Sequence, residues 1–147
     1  MDCKTVQKKF KVIGIENSGL FANFENEVPA SARQFLSRAN EIENRSETEI
    51  ALFEPKKNEH HLEGRYYVGL IVKEALEEVP SGMDYIELTH EYVTTRGKIS
   101  EVGELHMQLL TWADTQGYQR NLESFIVETY HPIGNGEEEV EIYIPIQ

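Results

Sequence analysis

Apolar positions along the chain switch between a period of two and a helical period, and the switches mark out the elements. Residues 10–15 set Phe10, Val12 and Gly14 on one side and Lys11, Ile13 and Ile15 on the other, the pattern of a strand. Asn17-Ser18-Gly19 and a loop carrying Phe21 and Phe24 follow. Val28, Ala32, Phe35, Leu36, Ala39 and Ile42 then recur at helical spacing, one stripe facing a core. Pro29 suits the first turn of that helix, where its missing N–H loses no bond. Residues 48–53 and 65–73 read as strands on either side of the polar loop 56–63.

The same order then recurs. Residues 83–92 alternate, with Ile86, Leu88, His90 and Tyr92 against Tyr85, Glu87, Thr89 and Glu91. Gly97 marks a turn, and Ser100 suits an N-cap with Glu101 and Glu104 in the first turn. Val102, Leu105, Leu109, Trp112 and Ala113 form a helical stripe that Gly117 ends. Residues 125–130 and 140–146 read as strands joined by the turn Pro132-Ile133-Gly134-Asn135-Gly136.

Each half is thus strand–helix–strand–strand, at an offset of roughly 75 residues. Element order repeats while residue identities barely match. The expected layout is one domain over 1–147, with a first repeat at 6–73, a connector at 74–82 and a second repeat at 83–147. Strands in runs with one helix per half argue for an α+β fold: two pseudo-symmetric β-α-β-β repeats, a mostly antiparallel sheet and two helices. The groove where the halves meet is the expected ligand cleft.

Composition narrows the function. The 147 residues carry 14 Lys and Arg against 26 Asp and Glu, a formal net charge of −12. Such a chain repels phosphate backbones and anionic lipid, and no basic patch offsets this, so direct nucleic-acid and membrane binding are not expected. No apolar run is long enough to span a bilayer, and the first ten residues lack the apolar stretch of a signal peptide. The single cysteine, Cys3, makes no internal disulfide. A cytoplasmic protein is the simplest reading. The five histidines, His60, His61, His90, His106 and His131, do not show zinc-site spacing, and neither a phosphate-binding glycine loop nor a nucleophile elbow is present. No metal or cofactor is implied.

One residue stands out against its surroundings. In 124–130, Phe125 and Val127 point one way and Ile126, Glu128 and Tyr130 the other, so the strand reads as covered on both faces. Glu128 is then a carboxylate in a run that otherwise looks like core, and burying it unpaired would cost several kcal/mol. Two readings follow: an edge-exposed or Lys/Arg-paired glutamate, or a carboxylate at the floor of an apolar pocket that attracts a cation or moves a proton.

Four segments carry a resemblance: Tyr66-Tyr67-Val68-Gly69-Leu70, Val79-Pro80-Ser81-Gly82-Met83, Glu128-Thr129-Tyr130-His131-Pro132 and Glu139-Val140-Glu141-Ile142-Tyr143-Ile144-Pro145-Ile146. In this order and spacing they resemble the GyrI-like small-molecule-binding family, the effector-binding domain of many multidrug-responsive transcription activators. The resemblance implies an eight-stranded antiparallel sheet, two helices and a cleft in which an acidic residue recognises bulky, aromatic, often cationic compounds. Glu128 is the matching position. The β-α-β-β repeats fill the chain from about Val6 onward, so no helix-turn-helix region is expected and the chain resembles stand-alone members. Some such relatives hydrolyse cyclopropane-bearing DNA-alkylating natural products; others bind DNA gyrase or sequester drugs.

The leading expectation is a stand-alone protein that captures aromatic or cationic compounds through Glu128. Tyr67, Tyr92, Tyr130, Tyr143 and Trp112 are the candidate walls; alternation alone does not say which tyrosines face the cleft, and Trp112 fits either core or pocket. A hydrolase using Glu128 as general acid or base is the second reading. Docking on a gyrase is the third, with the Glu137–Glu139 cluster as a surface. Exposed strand edges leave room for a homodimer.

Overall fold

A computed structural model describes residues 2–147. Its elements run β1 (Lys4–Leu20), α1 (Phe24–Leu36), β2 (Arg45–Phe53), β3 (Glu63–Val72), β4 (Asp84–Lys98), α2 (Val102–Thr115), β5 (Ile126–Gly134) and β6 (Glu137–Pro145). The order is strand–helix–strand–strand, twice. All neighbouring strands are antiparallel, in the ring β1-β3-β2-β5-β6-β4. Fold class and element order match the sequence reading.

Six strands appear rather than eight. β1 spans 17 residues and β4 spans 15, and each pairs with two partners along its length, so each does the work of two shorter strands. The ring also closes, which corrects the expectation of exposed strand edges: every strand is paired on both sides, leaving no open edge for a second copy to extend. The halves meet at two seams, β1 with β4 and β2 with β5.

A ring this small is filled by its own side chains. Phe10, Val12, Ile50, Leu52, Tyr92, Val127 and Tyr143 pack the interior, and Val12, Leu52, Tyr92 and Val127 are wholly buried. The helices lie outside. α1 packs on β3 and β1 through Phe35, Val28 and Ala32; α2 packs on β4 and β6 through Leu105, Leu109 and Ala113. Burying a side chain as fully as Leu109 is buried stabilises the fold by about 1.5–3 kcal/mol. No helix among the described residues is long and apolar enough to cross a membrane.

Several local expectations shift. Asn17-Ser18-Gly19 continues β1 instead of leaving it. α1 begins at Phe24, so Pro29 lies inside the helix, on its exposed face, where water can satisfy the carbonyl it leaves unbonded. Ala39 and the adjoining residues form a short 3-10 turn that seats Ile42 in the core. Gly97 is no turn: it lies in β4, where a Cβ would come within 2.9 Å of the Leu105 side chain, so its role is to let α2 approach. Ser100 belongs to a 3-10 turn ahead of α2 and makes no capping bond. Gly117 does end α2, at φ +83°, with Tyr118 N–H donating to the Ala113 carbonyl at 3.0 Å. Asn135 and Gly136, at φ 54° and 74°, make the tight turn between β5 and β6.

Candidate functional site

β5 lies between the packed interior and α2. Val127 faces inward, while Ile126, Glu128 and Tyr130 face outward on the side that α2 covers. Cross-strand register sets Glu128 opposite Ala51 of β2 and Ile142 of β6, and Tyr130 opposite Glu49 and Val140. Glu128 therefore sits on the β2–β5 seam, where the two halves join.

The residue is only 8% exposed, and each carboxylate oxygen has one short partner. The Tyr130 hydroxyl donates to Oε1 at 2.6 Å, and Nε2 of His106 lies 2.6 Å from Oε2. Hydrogen bonds to an ionised carboxylate are about twice as strong as neutral ones, so this pairing holds the group in place. Among the described residues no Lys or Arg pairs with Glu128; His106 is its ion-pair partner when protonated.

His106 comes from α2, one turn from both Val102 and Leu109 along the stripe that meets the sheet. It breaks that stripe with a polar ring because the ring reaches the carboxylate beneath. Two further acids share this environment. Glu49 is raised above the usual carboxylate range by its own burial and by Glu138. Tyr130 is pushed well above the ordinary phenol value, chiefly by burial and then by Glu128, Glu138 and Glu49. Three carboxylates and a phenol thus share one side of the sheet, a field that favours positive charge.

A family model for the GyrI-like small molecule binding domain matches residues 4–147. The chain belongs to this family. No curated protein matches it. Among solved structures, the EcmrR C-terminal domain aligns with TM-score 0.67 at 15% identity, covering 100% of this chain and 99% of that one. An integron cassette protein from Vibrio cholerae aligns with TM-score 0.63 at 13% identity, covering 99% and 95%. A hydrolase from Listeria innocua aligns with TM-score 0.60 at 10% identity, covering 99% and 91%. At such identities the likeness is one of fold.

The GyrI-like chain distributes the sequence-derived candidates over several places. Glu128 and Tyr130 come together. Tyr92 and Tyr143 lie on the other face of the sheet, in edge-to-face contact with Phe10 at centroid distances of 5.7 and 5.0 Å. Both are pushed above the ordinary phenol value by burial. Tyr67 also faces away from Glu128, against Phe125 at 5.8 Å, and donates to Glu16 at 2.8 Å; burial, then Glu16, raises it to about 12. The sheet itself separates these three rings from the carboxylate. Trp112 packs at a tilt on Tyr118 and, with Glu104, Met107, Gln108 and Thr111, lines an open depression of about 620 Å³ on α2. Glu128 does not line it.

Several other polar residues are paired where they stand, while the buried Tyr92 and Thr94 hydroxyls and Arg120 Nε have no partner among the described residues. His131 pairs with Thr129 at 2.8 Å, and Glu141 bridges Arg96 and the Tyr143 hydroxyl at 2.9 and 2.8 Å. Burial, then Arg96, lowers the pKa of His131. The Glu137–Glu139 cluster at the β5–β6 hairpin is divided: Glu139 is held by Arg96 at 2.7 Å, while Glu138 adds to the field around Tyr130. His61 is not freely exposed, since its ring packs on Phe21 and its Nε2 lies 3.2 Å from Glu54. Among the described residues no group of three His, Cys, Asp or Glu side chains is placed to hold a metal.

Proposed function

We propose that this protein captures bulky aromatic cations at the β2–β5 seam, with Glu128 as the group that reads positive charge. The observation that carries the reading is the buried Glu128 carboxylate at the junction of the halves, bonded only to a phenol and an imidazole. The nearby Glu49 and Glu138 reinforce the preference for cations, and Tyr130 supplies an aromatic face for stacking or cation–π contact, worth about 0.5–2 kcal/mol. The family's description as a small-molecule-binding domain supports the same reading. Absence of a disulfide partner for Cys3 suits action in the cytoplasm.

The test is calorimetric titration with tetraphenylphosphonium, a permanent cation, and with triphenylphosphine oxide, a neutral relative. Glu128→Gln keeps shape and an acceptor for Tyr130 while removing charge. It should weaken cation binding about tenfold or more and leave the neutral compound unaffected. Equal loss of both, or of neither, would sink the role assigned to Glu128.

A second reading rests on the hydrogen-bond chain itself. Tyr130, Glu128 and His106 are three proton-exchanging groups linked at 2.6 Å, the arrangement general acid–base chemistry needs. In that reading Glu128, positioned by Tyr130, accepts a proton from water as the water attacks a strained ring carbon. His106 relays the proton to the leaving group. Mass spectrometry of a cyclopropanoid alkylator incubated with the protein distinguishes the two: a water adduct formed catalytically supports hydrolysis, and unchanged compound supports capture alone.

A further inference from the structure

The two partners of Glu128 differ in how replaceable they are. Tyr130 lies two residues along the same strand, so the backbone that places the carboxylate also places the hydroxyl. His106 comes from another element, and its side chain remains 25% exposed. Rotation about its side-chain torsions would carry the ring into water without moving α2. No Lys or Arg among the described residues pairs with Glu128 to take its place.

We propose that His106 is a built-in occupant of the cation site, an imidazolium stand-in that an incoming cation displaces, so that capture releases a proton and strengthens as pH rises. The inference rests on the reading of Glu128 given above and adds its regulation. An imidazole is the side chain whose charge ordinarily changes between about pH 5 and 8. In its charged form it pairs with Glu128 as a cation; in its neutral form it donates only a hydrogen bond. Protonation of His106 and binding of a cation therefore compete for one carboxylate.

The surroundings hold few other groups that titrate. β5 contributes Glu128 and Tyr130, β2 contributes Glu49, and β6 contributes Glu138. β4 presents Val93, Thr95 and Gly97 toward α2, none of which titrates. On α2 itself, Glu104 is exposed and bonded to Gln108 at 3.2 Å. Protonating Glu49 or Glu138 would also weaken cation binding, so a variant must isolate the imidazole.

Tetraphenylphosphonium carries no titrating group and serves as the probe. Affinity should fall about tenfold from about pH 7.5 to about pH 5.5, and near the midpoint calorimetry in two buffers of different ionisation enthalpy should show proton release. His106→Gln, which keeps a donor but cannot charge, should remove both the slope and the proton release. His106→Ala should bind the probe about tenfold more tightly than wild type at the lower pH. A flat wild-type profile, or a slope that survives in His106→Gln, overturns the proposal while leaving Glu128 as the cation reader, provided Glu128→Gln still loses the probe. If Glu128→Gln binds the probe as wild type does, the reading of Glu128 falls and this inference falls with it.

Discussion

Ala51 stands directly opposite Glu128 across the antiparallel ladder of β2 and β5. It is 1% exposed, so the smallest chiral side chain fills a fully enclosed position beside the buried carboxylate. Ala51→Leu adds three carbons to a packed position and should destabilise the protein by about 1–3 kcal/mol. Crowding against Glu128 should also weaken tetraphenylphosphonium binding with the charge left intact. Urea unfolding and calorimetric titration of the same variant measure the two effects separately.

Tyr130→Phe removes the donor to Oε1 and leaves that oxygen unpartnered in a buried place. Loss of a hydrogen bond to a charged group should lower stability by about 1.5–3 kcal/mol at neutral pH. Denaturant midpoints of both proteins at neutral pH give the comparison.

Alkaline conditions should unfold the protein by way of its tyrosines. Tyr92, Tyr130 and Tyr143 are all raised above the ordinary phenol value by burial. Their contribution is fully present below about pH 10, where both folded and unfolded chains keep the phenolic protons. Above that value the unfolded chain releases protons the folded one retains, so stability falls, by up to about 1.4 kcal/mol per pH unit for each group. Urea midpoints should hold up to about pH 10 and drop above it. Ultraviolet titration of the folded protein should show fewer than its seven tyrosines ionising before the unfolding transition.

Gly14 and Gly69 face each other on β1 and β3, and the two backbones approach closely. A Cβ on Gly69 would overlap the Ile13 carbonyl oxygen, and one on Gly14 would lie 2.7 Å from the Val68 carbonyl oxygen. Neither obstacle is a flexible side chain, so the strands themselves would have to part. Gly69→Ala should destabilise by about 3 kcal/mol or more, whereas Gly103→Ala, inside α2 with nothing within 4 Å of the added Cβ, should stabilise by about 0.5–1 kcal/mol. Thermal melts of the two alanine variants test the contrast.

How far the sequence discloses this molecule depends on the range over which its residues interact. The buried stripe of α2 through Leu105, Leu109 and Ala113 follows from local spacing, and the structure has it. The outward face of β5 follows equally from alternation. The full length of β1 does not, because residues 4–9 include Lys4, Lys8 and Lys9 and signal no burial. They are held in the sheet by β4, far along the chain. Gly97 misleads for the same reason: the feature it serves is Leu105 across a helix–sheet contact, not a turn. His106 carries no sign of its role in its own segment, because its partner lies on another element and only the fold brings the two within bonding distance. Closure of the sheet decides which tyrosines share a face with Glu128, and alternation along single strands cannot reveal closure.

That closure also determines what a fragment of this protein can do. A chain ending after β3 would hold Ala51 and Glu49 with no carboxylate facing them. A chain beginning at β4 would hold Glu128, Tyr130 and His106 with one side of the carboxylate open to water, where solvent weakens any charge interaction it makes. The enclosure of Glu128 belongs to neither half of the chain; it arises when the two halves of the sheet meet.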